Sequence, residues 1–269
     1  MNRILFSVAF TALMFTSVAF TCGAQSVPAG AVDLGVVVTR VDGTSYKLYW
    51  AASNLSEDGL CPKPEDLGDY YAWGETVLLY HKGHSQDNPC EFWREYEGKI
   101  RIGYGWHTYK WSFIYDKRLF FTKYCPKDER EDDDYYWGGR EDRADNKSVL
   151  ETGPMGDDAA SKQLGGKWRM PTDREWTALR KQCTWTWSGR NGVKGYEVTG
   201  PNGKSIFLPA AGGRSSDVLN YVGSYGYYWS SSLNTEYPYG AGCLYFDSGH
   251  AYGSYGSRYC GFSVRPVSE

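Results

Sequence analysis

The side chains best suited to chemistry in this 269-residue chain are its cysteines, two neighbouring histidines, a run of acids and a large set of tyrosines. The cysteines stand at 22, 61, 90, 125, 183, 243 and 260, and none forms a C-x-x-C pair. That spacing argues against a zinc knuckle or a thioredoxin-like dithiol. Cys90 and Cys125 bracket one stretch of chain and are the pair that order suggests for a disulfide, whereas Cys183 reads equally as a buried thiol packed like a small hydrophobe. His81 and His84 have a spacing that two metal ligands could use, yet no third ligand stands near, and two solvated loop histidines are the plainer account. Nine acids (Asp128, Glu129, Glu131, Asp132, Asp133, Asp134, Glu141, Asp142 and Asp145) crowd one loop with Lys127, Arg130, Arg140 and Arg143. Carboxylates suit calcium, but the D-x-D-x-D-G spacing is absent, so a solvated acidic loop is expected and no calcium site or other cofactor is assigned. Ser230, Ser231 and Ser232 lack the G-x-S-x-G elbow of a serine nucleophile. No carboxylate pair stands out as acid and base. The chain therefore reads as a non-enzymatic protein.

The tyrosines tell more. Between residues 213 and 269 they occur at 221, 225, 227, 228, 237, 239, 245, 252, 255 and 259, among many Ser and Gly and without Lys, Gln or Met. This is the physical composition of an antibody paratope. Tyr offers a large amphipathic contact with few rotors to freeze, while Ser and Gly adapt around it. Immobilising a rotor-rich side chain such as Lys costs about 0.5–1.5 kcal/mol, which this stretch avoids. Tyr228, Trp229, Leu244 and Phe246 lie in strand-like runs and are expected in the core. Tyr221, Tyr225, Tyr237, Tyr239, Tyr252, Tyr255 and Tyr259 sit among Gly, Ser and Pro and read as exposed loop positions. With Asp247 and His250 they make up the candidate ligand-binding set. A glycan, whose C–H faces stack on Tyr rings, or a protein is the expected partner.

Length, charge and the remaining sequence limit what can position these groups. A formal net charge of -3 gives no basic face for nucleic acid. Asn2-Arg3, an uncharged apolar stretch to Phe20 and the small residues Cys22-Gly23-Ala24 read as a signal peptide over residues 1–24. That implies export, to the periplasm, the outer surface or the medium. A membrane anchor would need about 20 apolar residues, more than this run supplies, so no transmembrane span is expected. Lipidation of Cys22 is the alternative that would anchor the chain.

Residues 31–38 and 47–51 read as strands, and 157–164 as a short helix ended by Gly165-Gly166. Thr172 and Glu175 form a capping box before a helix that places Trp176, Leu179 and Cys183 on one face. Residues 195–209 read as a hairpin turning at Asn202-Gly203, and 227–232, 242–247 and 261–267 as later strands. The expectation is one α+β domain over 25–269 with an insert at about 77–150.

Several ordered blocks carry a resemblance. Trp50-Ala51 with Asn54-Leu55, Gly68-Asp-Tyr-Tyr-Ala-Trp-Gly-Glu-Thr76, Trp168-Arg-Met-Pro-Thr172 and Ser205-Ile-Phe-Leu-Pro-Ala-Ala211 resemble the Fibrobacter succinogenes major paralogous domain family. So do Gly226-Tyr-Tyr-Trp-Ser-Ser231 and Gly261-Phe-Ser-Val-Arg-Pro-Val267, and the likeness covers about residues 31–76 and 157–267. That family is similar to the formylglycine-generating, sulfatase-modifying proteins. The resemblance implies a C-type-lectin-like α+β fold with short antiparallel sheets, about two helices and long irregular loops. It implies little about ligand, because fold does not fix function. The oxidase relatives use a closely spaced cysteine pair that binds copper. Cys243 and Cys260, 17 residues apart, do not match that motif, and a copper oxidase of that type, using these thiols, is the alternative reading. Some C-type-lectin-like proteins are diversified by retroelements that turn Asn codons into Tyr, Ser, Asp, His, Gly or Cys, and the stretch from Arg214 to Arg265 resembles such a region. A structural subunit of a surface appendage is a third reading.

Overall fold

The computed structural model describes residues 27–77, 93–96, 99–102, 104–115, 118–126, 144–215 and 218–269. The signal segment with Cys22, His81, His84, Cys90 with its expected bond to Cys125, and the acids from Asp128 to Asp142 lie outside the described residues.

The first strands are β1 (Ala31–Thr39), β2 (Ser45–Ala51), β3 (Leu55–Ser56) and β4 (Gly59–Leu60). The insert contributes the hairpins β5 (Trp93–Tyr96) with β6 (Lys99–Ile102) and β7 (Ser112–Tyr115) with β8 (Arg118–Phe121). Two helices follow, α1 (Ala159–Leu164) and α2 (Asp173–Gln182). Then come β9 (Thr184–Arg190), β10 (Val193–Thr199), β11 (Ser205–Pro209), β12 (Gly213–Ser215) and β13 (Val218–Asn220). The chain ends with β14 (Gly226–Leu233), β15 (Gly240–Phe246), β16 (Ala251–Ser257) and β17 (Val267–Ser268). Every ladder between these strands is antiparallel, and the three-stranded sheets run β1-β2-β17, β11-β10-β9 and β14-β15-β16. The architecture is mixed α+β and mostly strand.

Helix α2 forms where the capping box predicts. Thr172 Oγ1 accepts the Glu175 N–H, and Glu175 Oε2 accepts the Thr172 N–H at 2.7 Å. Glu175 is fully buried, which a lone carboxylate could not be. Arg169 holds it with two charge-assisted bonds of 2.6 and 2.8 Å, and the Tyr46 hydroxyl donates a third at 2.6 Å. These partners keep its carboxyl below the usual range despite burial. The cap thus fastens the helix to β2. Trp176 and Leu179 then enter a core with Leu34, Val36 and Val38 of β1, Leu208 of β11, and Tyr228, Leu244 and Phe246.

A second cluster gathers Tyr71, Trp73, Leu150, Met170, Trp229, Cys243 and Phe262. The sheet β14-β15-β16 lies between these two clusters, as strand alternation requires. Tyr228, Leu244 and Phe246 pack with the first, and Trp229 and Cys243 with the second. A third cluster joins the insert residues Tyr104, Tyr109, Leu119 and Phe121 to Tyr70, Ala72 and Ala211.

Two fully buried arginines tie these clusters together. Arg265 donates to Asn54 Oδ1, Ala51 O and Phe207 O at 2.7–3.0 Å. Arg258 donates to the Tyr109 hydroxyl and to the carbonyls of Lys123, Tyr124 and Pro238, with its guanidinium 4.6 Å from the Phe121 ring centre and 4.9 Å from that of Trp73. These bonds explain one departure from expectation. Residues 261–267 do not form a strand; Tyr71, Arg214, Tyr228 and Arg169 each make isolated bridges to this stretch, and only Val267–Ser268 joins a sheet. A segment bound by side chains and four separate backbone stretches does not run along one partner strand. Other strands went unread: β3 to β9, the short β12–β13 hairpin and β16.

The insert docks through a buried acid. Glu75 accepts from the Tyr104 hydroxyl and from the Lys110 N–H, and burial pushes its carboxyl up to about 7 although both bonds oppose the shift. Asp158, the buried cap of α1, is pushed up to about 6 by burial, against the N–H groups of Ser161 and Met170. Raised carboxyl pKa values mean that the folded state holds protons the unfolded chain has released. The stability these two carboxyls contribute is therefore full below about pH 4 and is lost as pH rises through 6 and 7. The Glu75 contribution is on the order of 3 kcal/mol. Glu75→Gln keeps the acceptor and removes the charge. Denaturant unfolding at pH 5 and pH 8 should show a smaller stability loss in the variant than in the wild-type protein.

Candidate functional site

Strand register decides where the tyrosines go. Tyr227 of β14 stands opposite Tyr245 of β15, which stands opposite Tyr252 of β16. Direct partners share a face, so the three rings form a row across the sheet. Ring centres are 5.2 Å apart for Tyr227 and Tyr245, and 4.9 Å for Tyr245 and Tyr252. The segment before β14 extends the row: Tyr225 lies 5.6 Å from Tyr245, and Tyr221 lies 4.9 Å from Tyr225. Tyr227 stacks at 4.9 Å on Phe262, which contacts Trp229 at 4.3 Å, so the row is backed by the second core cluster. Tyr221 adopts φ of 64°, a conformation that costs a non-glycine residue about 1 kcal/mol or more. Its ring ends the ladder, 59% exposed, and Tyr252 at the other end is 46% exposed.

Asp247 and His250 lie in the turn between β15 and β16, beside Tyr245 and Tyr252. Asp247 Oδ1 accepts the N–H groups of Gly249 and His250 at 2.8 and 2.9 Å, which hold its carboxyl below the usual range. The carboxylate thus shapes the turn, and the exposed imidazole stands next to it, Nδ1 at 3.5 Å.

The other predicted residues fall elsewhere. Tyr252 and Tyr255 were read as loop positions; both lie on β16, three residues apart and hence on opposite faces. Tyr255 stacks with Tyr237 at 6.2 Å and 16°, and both rings are exposed. Tyr239 and Tyr259 are half-buried against the third core cluster, with Tyr259 4.8 Å from Trp106. Their packing is structural, contrary to the exposure expected from their Gly and Ser neighbours. The nine candidate residues therefore divide into a ladder group (Tyr221, Tyr225, Asp247, His250, Tyr252), a remote pair (Tyr237, Tyr255) and two residues that brace the insert. Tyr227 and Tyr245 belong to the ladder and were missed. Their strand setting hid that both are only partly buried.

Two hollows flank this region. A cleft of about 510 Å³ opens between the start of α2, the 233–236 turn and β15–β16, with Tyr255 on its rim. A hollow of about 770 Å³ lies between the 56–70 loop and β12–β13, where the Arg214 guanidinium sits 5.5 Å from the Tyr70 ring centre. Cys183, Cys243 and Cys260 are thiols. Burial pushes Cys183 and Cys260 up to about 11 and Cys243 higher still, next to Asp173 and Cys260, so all three are protonated at neutral pH. Among the described residues no three His, Cys, Asp or Glu side chains come together as a metal site would require.

The division between presented and packed tyrosines is measurable. Tyr252→Ala should cost under about 1 kcal/mol of stability, as exposed edge-strand changes do. Tyr228→Phe should cost about 1–2 kcal/mol, because the hydroxyl donates to Pro209 O at 2.7 Å and accepts from Asn54 at 3.2 Å inside the core. Chemical denaturation of the two variants checks this order. The chain matches no family model, no curated protein and no solved structure, so the geometry of this surface is what its function must be read from.

Proposed function

We propose that this chain is an exported, non-enzymatic binding module with a C-type-lectin-like fold, and that an extracellular glycan or protein docks on the tyrosine ladder. The observation that carries this reading is the contiguous row Tyr221-Tyr225-Tyr245-Tyr252, with its ends open to solvent and its base fixed by Tyr227 and Phe262. Rings already held by one another lose little freedom on binding, so their contact area converts to affinity with a small ordering cost. The left-handed backbone at Tyr221 supports the same reading, since strain kept at an exposed ring is a mark of functional sites. The sheets, the two helices and the long connections agree with the lectin-like architecture without distinguishing it from other α+β arrangements. Among the described residues no helix is long and apolar enough to cross a membrane.

The mature chain, residues 25–269, should capture at least one ligand from a panel of immobilised glycans and extracellular proteins. Tyr221→Ala with Tyr252→Ala should weaken that capture tenfold or more, with circular dichroism and melting temperature unchanged. Equal capture by the wild-type protein and the folded double variant would overturn the ladder as the site.

A further inference from the structure

We infer that the cleft between α2 and β15–β16 is a second binding site, one that takes a single neutral sugar ring. The inference rests on reading this module as a ligand binder, and it selects the glycan over the protein for this part of the surface. The cleft lies on the helix side of the sheet, opposite the ladder.

Its shape follows from two glycines. Gly242 and Gly253 stand on the face of the sheet that α2 covers, where Leu244 and Phe246 fill the core further along. A Cβ at 242 would collide with the Asp173 carboxylate; a Cβ at 253 would meet only Arg180 Nη1, at 3.6 Å. The Asp173 carboxylate takes the place of a side chain at 242, and the open position at 253 forms part of a hollow of about 510 Å³. Trp176 and Gly242 line the hollow, Asp173 and Thr177 stand along its helix wall, and Asn234 and Glu236 stand along the opposite turn. Tyr255 forms the rim, and its ring is held by Tyr237 stacked alongside and by Gly240 beneath it.

The chemistry of these walls selects a class of ligand. Two carboxylates and several hydroxyls accept hydrogen bonds, and the one guanidinium at the edge, Arg180 beside Gly253, gives its Nε–H to Ala251 O. An anion would meet the Asp173 and Glu236 carboxylates. A cation gains little from Asp173, which sits in the first turn of α2 where the helix dipole offsets its charge and which burial pushes toward its neutral form. What remains is a neutral molecule rich in hydroxyl donors with one apolar face for Tyr255. A pyranose ring has that combination, and a cavity of this size with few convergent polar groups suits it.

Gly253→Val plugs the cleft at a position where a Cβ fits and a β-branched residue suits the strand. Glu236→Gln changes one acceptor and little volume. Binding of a panel of methyl pyranosides to the full mature chain can be followed by saturation-transfer NMR. The wild-type protein should bind at least one of them, and each variant should bind it tenfold more weakly or worse at an unchanged melting temperature. If the wild-type protein binds none, or if both folded variants bind as the wild-type protein does, the cleft assignment is wrong. Should Gly253→Val not fold, Glu236→Gln alone decides by the same criterion. Failure here is separable from failure of the ladder. Glycans or proteins captured in a Tyr221- and Tyr252-dependent way, with no sugar bound in the cleft, would leave the ladder reading standing and remove only the cleft.

Discussion

Two positive charges sealed inside the protein, Arg258 and Arg265, set the terms for much of this structure. Neither is balanced by a carboxylate among the hydrogen bonds described; each is solvated by backbone carbonyls, an amide or a phenol. Burial pulls Arg265 down to about 10, so it keeps its proton at neutral pH. A buried guanidinium is tolerable only while every donor finds an acceptor. The carbonyls of Ala51, Phe207, Lys123, Tyr124 and Pro238 must therefore converge from distant parts of the sequence. Removing either arginine would leave several of these carbonyls unpaired in a dry interior.

The binding surface inherits that constraint. Arg258 and Arg265 bracket the segment from Tyr259 to Val264, which lies under the ladder. Trp229 N–H donates to Ser263 O at 3.0 Å, and Phe262 supports the Tyr227 ring. The ladder is thus a row of side chains on three strands whose first strand is pinned to an irregular segment, itself pinned by two buried charges. Rigidity at the surface comes from polar satisfaction in the core.

The helix side of the sheet is organised by absence. Where β15 and β16 carry Leu244, Phe246 and Ala251 they fill the core with α2; Gly242 admits the Asp173 carboxylate and Gly253 leaves space. Trp176 serves both regions, packing 4.8 Å from Trp50 and donating its indole N–H to Trp229 O at 3.2 Å while lining the cleft. The insert contributes differently. Tyr104 and Tyr109 give it a small core, and Glu75, Asp157 and Lys123 join that core to the domain by buried or half-buried polar contacts. Its attachment therefore combines apolar packing with a buried carboxyl, Glu75, whose protonation changes with pH.

Local chemistry was legible in the sequence. The Thr172–Glu175 capping box, the Asn202-Gly203 hairpin, the β1 and β2 alternation and the burial of Tyr228, Trp229, Leu244 and Phe246 all follow from spacing or residue type. So did the concentration of tyrosine after residue 213. The tertiary structure alone decided which tyrosines meet. Tyr252 and Tyr255 sit in the same Gly- and Ser-rich stretch, yet pairing of β16 with β15 sends them to opposite faces. Tyr239 and Tyr259 look like their exposed neighbours, yet the insert covers them. Arg258 and Arg265 look like ordinary surface residues, because nothing in the sequence marks the remote carbonyls that make their burial possible. Register, coverage and the solvation of a buried charge all depend on atoms far away along the chain, and no local pattern encodes them.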